Sequence, residues 1–290
     1  MAYLSGIIFA FIALLSWGFG DFFIQKTTRL VGSWKALFYI AALGSIVLFP
    51  FIFGELFTLN QEKFLILIIL SVIVVFGALF DFEAMRQGKI AIVEPIIGLE
   101  LPLTVGLGIT LGHEQINFWQ GLLIFTVFIG IILAITAHQP NYTHKKLSLE
   151  KGVILAGIAA IGMALTNFMI GTSSQSTSPL MTVWFSHTVV ALVCLIYLVL
   201  RHQLKSTFSD LKKYPLPILA ESIFDNSAWI SFAFATTFIP ISIATTISES
   251  YIALTVLLGL FVGKEKLHRY QIFGAFLAIS GIIALSAISQ

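Results

Sequence analysis

The chain has one cysteine, few charges and no catalytic signature, and each shortage excludes a class of protein. With Cys194 alone among 290 residues, neither an intramolecular disulfide nor a cysteine-based metal centre is possible. Its place within an apolar run reads as a buried packing thiol. Only 10% of residues are charged, 58% are hydrophobic and the mean hydropathy is +0.99, which excludes a water-soluble globule. There is no Walker A loop, His-Glu-x-x-His, Gly-x-Ser-x-Gly or dinucleotide fingerprint, so an ATP-driven pump or an enzyme has no visible machinery. No cofactor, metal centre or nucleic-acid partner is expected. The expected partners are a small-molecule substrate and the lipid bilayer, with a homodimer as the assembly to consider.

What is present is length in apolar runs. Ten stretches of about 20 residues lie near 3–23, 34–53, 64–85, 90–111, 117–137, 152–171, 179–200, 215–238, 241–262 and 270–288, each enough to cross roughly 30 Å of hydrocarbon as a helix. Backbone polar groups find no water in lipid, and runs this continuous satisfy them as helices rather than as short alternating strands. The expected fold class is therefore all-α, a polytopic membrane protein of ten transmembrane helices. Met1-Ala2-Tyr3 leads directly into the first run without a basic n-region, so a retained helix rather than a cleaved signal is expected.

The basic residues are unevenly placed. Lys26, Arg29, Lys35, Arg86, Lys89, Lys145, Lys146, Lys151, Arg201, Lys205, Lys212, Lys213, Lys264, Lys266 and Arg269 follow odd-numbered runs, and only Lys63 lies on the other side. The positive-inside rule makes the crowded side cytoplasmic and puts both chain ends outside. The expected location is a cell membrane, the inner one where there are two.

Residues Leu103 to Ile132 reappear 151 positions later as Leu254 to Ile283, with 12 identities in 30 ungapped positions. That is roughly four times what apolar composition alone would give, and marks an internal repeat. Among the matches are Gly108 with Gly259, Gly112 with Gly263, Glu114 with Glu265, Gln120 with Gln271 and Gly130 with Gly281. A weaker match sets Gly6 against Gly152 and Asp21-Phe22 against Asn167-Phe168. The polar segment 139–151 reads as a linker between a first repeat, 1–138, and a second, 152–290. Five runs per copy is an odd number, so the second copy begins on the opposite side of the membrane. The two repeats are inverted, the plan of many secondary transporters, whose site lies between the halves near the midplane. The Gly-x-x-x-Gly pairs suggest close helix packing, and Glu114 and Glu265 a capping role or a fixed tight connection.

At these residues the chain resembles the drug/metabolite transporter superfamily and, within it, the ten-helix EamA family. The resemblance rests on five plus five runs, Trp17-Gly18 late in the first, Pro102 in the fourth, and a Gly-x-Glu, Gln, Gly series closing each half. The sequence departs from the usual Gly-Glu by one inserted residue in each copy, and has Ala253 opposite Pro102. The resemblance implies a central cavity built mainly by the first, third, fourth, sixth, eighth and ninth helices. It also implies cytoplasmic termini, against the charge bias followed above.

No Lys or Arg falls deep within a run, whereas eight carboxylates do or come close: Asp21, Asp81, Glu83, Glu94, Glu100, Glu221, Asp225 and Glu249. A charge at the bilayer centre costs at least about 2.5 kcal/mol, so such a group faces a watery cavity, finds a partner or takes a proton. Asp21, Asp81, Glu83 and Glu94 lie near the basic ends of their helices and are read as an interfacial cluster or gate. Glu100, Glu221, Asp225 and Glu249 lie deeper and are candidates for substrate binding or coupling. Glu221 and Asp225, four apart, share one helix face with Trp229; two acids so close can hold a proton or share a cation. Trp17 and Trp229 lie well inside their runs, where indole faces beside carboxylates suit an organic cation. His187 is a candidate proton relay, although a lone histidine is more often simply hydrogen-bonded. The copies differ where Glu249 stands opposite Gly98 and Glu100 opposite Tyr251. The expected activity is secondary active transport, by alternating access, of a small polar metabolite, amino acid or organic cation, with proton coupling an option. The alternatives are a divalent-cation transporter or channel, whose acids would serve as oxygen ligands, and a non-transporting membrane scaffold.

Overall fold

The computed structural model describes residues 2–87, 93, 96–135, 151–254 and 268–288. Its helices are α1 (Ala2–Val31), α2 (Ser33–Ile52), α3 (Gln61–Gln87), α4 (Glu100–Thr110), α5 (Phe118–Ile135), α6 (Lys151–Ser176), α7 (Pro179–Leu200), α8 (Leu204–Lys213), α9 (Pro215–Phe238), α10 (Ile241–Glu249) and α11 (Arg269–Ile288). No strand occurs among the described residues. Seven of these helices are long and apolar enough to cross a membrane. Small and polar residues such as Ala10, Ala13, Ser16, Ser71 and Ala278 face inward, while Ile46, Phe51, Phe76, Phe125 and Ile196 are exposed. That arrangement suits a lipid-facing surface around closely packed backbones.

The two halves interlock according to one rule. The first helix of each half packs on the third of the other, giving α1 on α9 and α6 on α3. The second helices pair as α2 on α7, the fourth as α4 on α10, and the fifth as α5 on α11. A two-fold relation between copies requires these reciprocal pairings. The α5–α11 contact repeats the rule residue by residue. A Cβ on Gly130 would lie 2.6 Å from the Ala278 backbone, and one on the equivalent Gly281 would lie 2.7 Å from Val127, the residue equivalent to Ala278. At Gly130 the near neighbour is backbone, and at Gly281 it is the Val127 side chain, with the Val127 backbone 3.7 Å away; a side chain at either position would collide.

Contacts across the ends agree with the count of spans. Lys35 Nζ lies 2.6 Å from Asp210 and 3.0 Å from Ser206 of α8, joining two ends on the lysine-rich side. On the other side Ser178 donates to Glu55 at 2.5 Å, and Glu114 reaches the start of α10. Trp34 is stacked on Tyr197 with ring centroids 3.8 Å apart, and Trp119 is exposed, as suits residues near the membrane boundary.

Two expectations need correction. The Gly108-x-x-x-Gly112 pair does admit other helices, through Ser242 of α10 and Phe168 of α6, but it also makes room for a carboxylate. The space beside Gly108 is filled by the Glu114 carboxylate and the Ser242 hydroxyl. His113 adopts φ 52° and turns the chain back, so that Glu114 accepts from the Ile241 and Ser242 backbone N–H groups and, at 2.5 Å, from the Ser242 hydroxyl. Glu114 thus caps a helix of the opposite half, not the next helix in its own. Gly259, Gly263 and Glu265 lie outside the described residues. The second correction concerns the fourth and ninth spans, which the apolar runs present as continuous. Each is interrupted by a turn, at Gly98-Leu99 and at Ser250, and Leu99 and Ser250 are equivalent positions at the shift of 151. Pro102 has no N–H to give to the Gly98 carbonyl, which takes the Leu101 N–H at 3.4 Å instead. In the second copy the Ser250 hydroxyl bonds back to the Thr246 carbonyl at 2.7 Å, a local bond that competes with the helical ladder.

Candidate functional site

A cavity enclosing about 850 Å³ of empty space, its open mouth included, lies between the halves. It is walled by α1, α2 and α3 from one half and by α6, α7 and α9 from the other. The helices α4 and α10 each bring one acid to its wall, Glu100 and Glu249. Its lining extends from Trp17 and Asn167 toward Ile24 and Met85, near the lysine-rich ends of α1 and α3. Toward the opposite ends the halves are tightly joined. Phe9 stacks on Phe234 and Phe238 at 5.2 and 6.2 Å, and Glu114 holds α10.

Among the described residues, five carboxylates line this cavity, Asp21, Asp81, Glu100, Asp225 and Glu249, and no lysine or arginine does. Glu100 is the first residue of α4 and Glu249 the last of α10, so the two helix interruptions bring their acids to the centre from opposite halves. Asn167 Nδ2 donates to Glu249 at 3.4 Å. The Tyr251 hydroxyl donates to Asp21, and the Trp229 indole N–H donates to Asp225 one turn earlier on α9. Trp17 meets Trp229 edge to face with centroids 5.1 Å apart, and Tyr251 lies 6.3 Å from Trp17. The result is an aromatic corner with Asp21 and Asp225 at its rim. Both ring faces and carboxylates attract positive charge, and the attraction strengthens away from water.

The structure distributes the sequence candidates unevenly. Trp17, Glu100, Asp225, Trp229 and Glu249 share the cavity wall. Glu221 does not line it. It is fully buried beside Thr27, one turn from Asp225 toward the lysine-rich end. Asp21 and Asp81, read as part of an interfacial cluster or gate, line the cavity, and α1 and α3 continue past them to Val31 and Gln87. Glu83, read with them, lies outside the cavity lining. It pairs with Arg86, accepts from Gln87 and takes the Ser33 hydroxyl at 2.8 Å. Glu94 lies outside the described residues. His187 lines the cavity with Nδ1 2.8 Å from the Val183 carbonyl of its own helix. Cys194 is fully buried.

Asn167 and Tyr251 were not singled out as site residues, although a signal for both was present. The repeat sets Asn167 against Asp21 and Tyr251 against Glu100, so the two residues that bond the central acids are the copies of acids.

The EamA-like transporter family model matches the chain twice, over residues 4–136 and 150–287. A crystal structure of a protein 13% identical in sequence superposes with a TM-score of 0.74 over 98% of each chain, a likeness of fold alone. No curated protein matches.

Proposed function

Because the chain belongs to the EamA-like transporter family, we propose that this multi-pass membrane protein is a secondary transporter of a small organic cation with an apolar or aromatic body. One observation carries the reading: among the described residues, five carboxylates and a Trp17–Trp229 corner face one cavity between the halves, with no lysine or arginine in its wall. An anionic solute would meet only like charge there, and a neutral one would leave the acids without a counter-charge. A cation at the corner gains from Asp21 and Asp225 and from the indole faces. Among the described residues no three of His, Cys, Asp and Glu converge to hold a metal ion, which supports an organic cargo over a divalent metal. The halves would rock about the cavity, loosening the Glu114 and Phe9 contacts on one side as the other side closes.

Binding of phenethylammonium to purified protein, followed by calorimetry, tests this reading. Phenethyl alcohol and phenylacetate serve as neutral and anionic counterparts. The cation binds, the other two bind at least tenfold more weakly, and Asp225→Asn erases the preference. Equal or tighter binding of the anion would overturn the proposal.

A further inference from the structure

The five acids divide into two groups by what holds them. Asp21 and Asp225 each take a donor from an aromatic side chain, Tyr251 and Trp229, and face the aromatic corner. Glu100 and Glu249 are instead hydrogen-bonded to each other. An ionised carboxylate has lone pairs and no donor, so a hydrogen bond between two carboxyl groups contains one proton. Among the described residues, the titratable groups facing the pair are Asp81 from α3, Asp21 from α1, Asp225 from α9, His187 from α7 and Tyr251, with no lysine or arginine in the cavity wall. Glu100 Oε2 and Asn167 Oδ1 are buried without a hydrogen-bond partner, and both side chains line the cavity.

The placement of the pair matters as much as its chemistry. Glu100 belongs to the first half and Glu249 to the second, each at the interruption of its crossing helix. We propose that Glu100 and Glu249 form the coupling site of the transporter, binding one proton between the halves and releasing it to water when an organic cation occupies the Trp17–Trp229 corner. With the proton present the two carboxyl groups attract, and α4 and α10 stay together. Without it they are like charges in a site of low polarity and push the halves apart, unless a cation lies between or beside them. Proton and cargo therefore compete for one negative site, and each biases the same rearrangement of the halves. Exchange of one for the other follows from that competition. The inference rests on the organic-cation reading, but the pair itself can be tested without cargo.

Infrared difference spectra of the protein in nanodiscs, recorded across a pH titration, report the C=O band of a buried protonated carboxyl group. The wild type shows a broad, red-shifted band from the shared proton, distinct from that of a lone buried carboxyl group such as Glu221. Glu100→Gln and Glu249→Gln each remove that red-shifted band, and the double variant removes nothing further of it, since one proton is shared. If one variant fails to fold, the other carries the test, because either substitution dissolves the pair. Survival of the band in a folded single variant, or two losses that add in the double variant, would overturn the shared proton. In a lightly buffered solution, saturating phenethylammonium then releases about one proton per wild-type molecule and none from Glu100→Gln. Binding of phenethylammonium without proton release would overturn the coupling role. Failure of phenethylammonium to bind at all would instead mark failure of the cargo reading, with the infrared result still standing.

Discussion

The α5–α11 contact and the α4–α10 crossing are each made by equivalent helices of the two halves, yet they teach opposite lessons. At α5–α11 the copies keep the same residues, Gly130 and Gly281, and use them in the same way, each against the residue equivalent to the other's neighbour. At α4–α10 the copies keep the same interruption but change the chemistry around it. Glu249 stands where the first copy has Gly98, Tyr251 where it has Glu100, and Asn167 where it has Asp21. Packing of two backbones is indifferent to which copy supplies which side. A cavity for one small unsymmetrical ion is not, because it needs acids on one flank and aromatic faces and donors on another. Symmetry is retained where it builds the scaffold and is broken among the residues that line the cavity.

Substitutions at the two places sharpen this contrast. The largest effect belongs to the symmetric contact. Leucine at Gly130 would drive a branched side chain into the backbone of α11, where even a Cβ would lie 2.6 Å from Ala278. Overpacking of this kind costs about 3 kcal/mol or more, and Gly130→Leu is expected to lose the monodisperse peak in size-exclusion chromatography. Next comes Glu114→Ala, which removes the cap of α10 and the link to Ser242. Loss of a cap of this type costs about 1–2 kcal/mol, to be read as a lower melting temperature with phenethylammonium binding retained in the folded fraction. Tyr251→Phe removes one donor to Asp21 and leaves the ring beside Trp17. Phenethylammonium should bind about fivefold differently, equivalent to about 1 kcal/mol, with little change in melting temperature. Lys35→Ala breaks the ion pair with Asp210 at the lysine-rich end. The expected destabilisation is below about 1 kcal/mol, because part of the pair is in contact with solvent. If Tyr251→Phe lowered stability more than Glu114→Ala did, the division between scaffold and ligand positions would be lost.

Much of the architecture was legible in the sequence because lipid permits few solutions. Long apolar runs must be helices, lysines collect at alternate ends, and a repeat with an odd number of spans must be inverted. The helix interruptions were not legible, since Gly98-Leu99 and Ser250 sit inside runs whose hydropathy does not falter; only Pro102 hinted at one of them. The acids were visible as an anomaly, but their depth was not. Counting residues from helix ends made Asp21 and Asp81 part of an interfacial cluster or gate, and only the structure sets them on the cavity wall beside Glu100, Asp225 and Glu249. The role of Gly108 was hidden for another reason. Its neighbours, Glu114 and Ser242, come from a loop and from the other half, and no spacing within one helix records them.

The account depends most directly on the claim that the broken-symmetry cavity is a cation site. Competitive binding of phenethylammonium and phenylacetate to wild type and to Asp225→Asn measures that claim in one experiment. The expected result is at least tenfold preference for the cation in the wild type and loss of that preference in the variant. Preference for phenylacetate, or a cation affinity unchanged by Asp225→Asn, would contradict it.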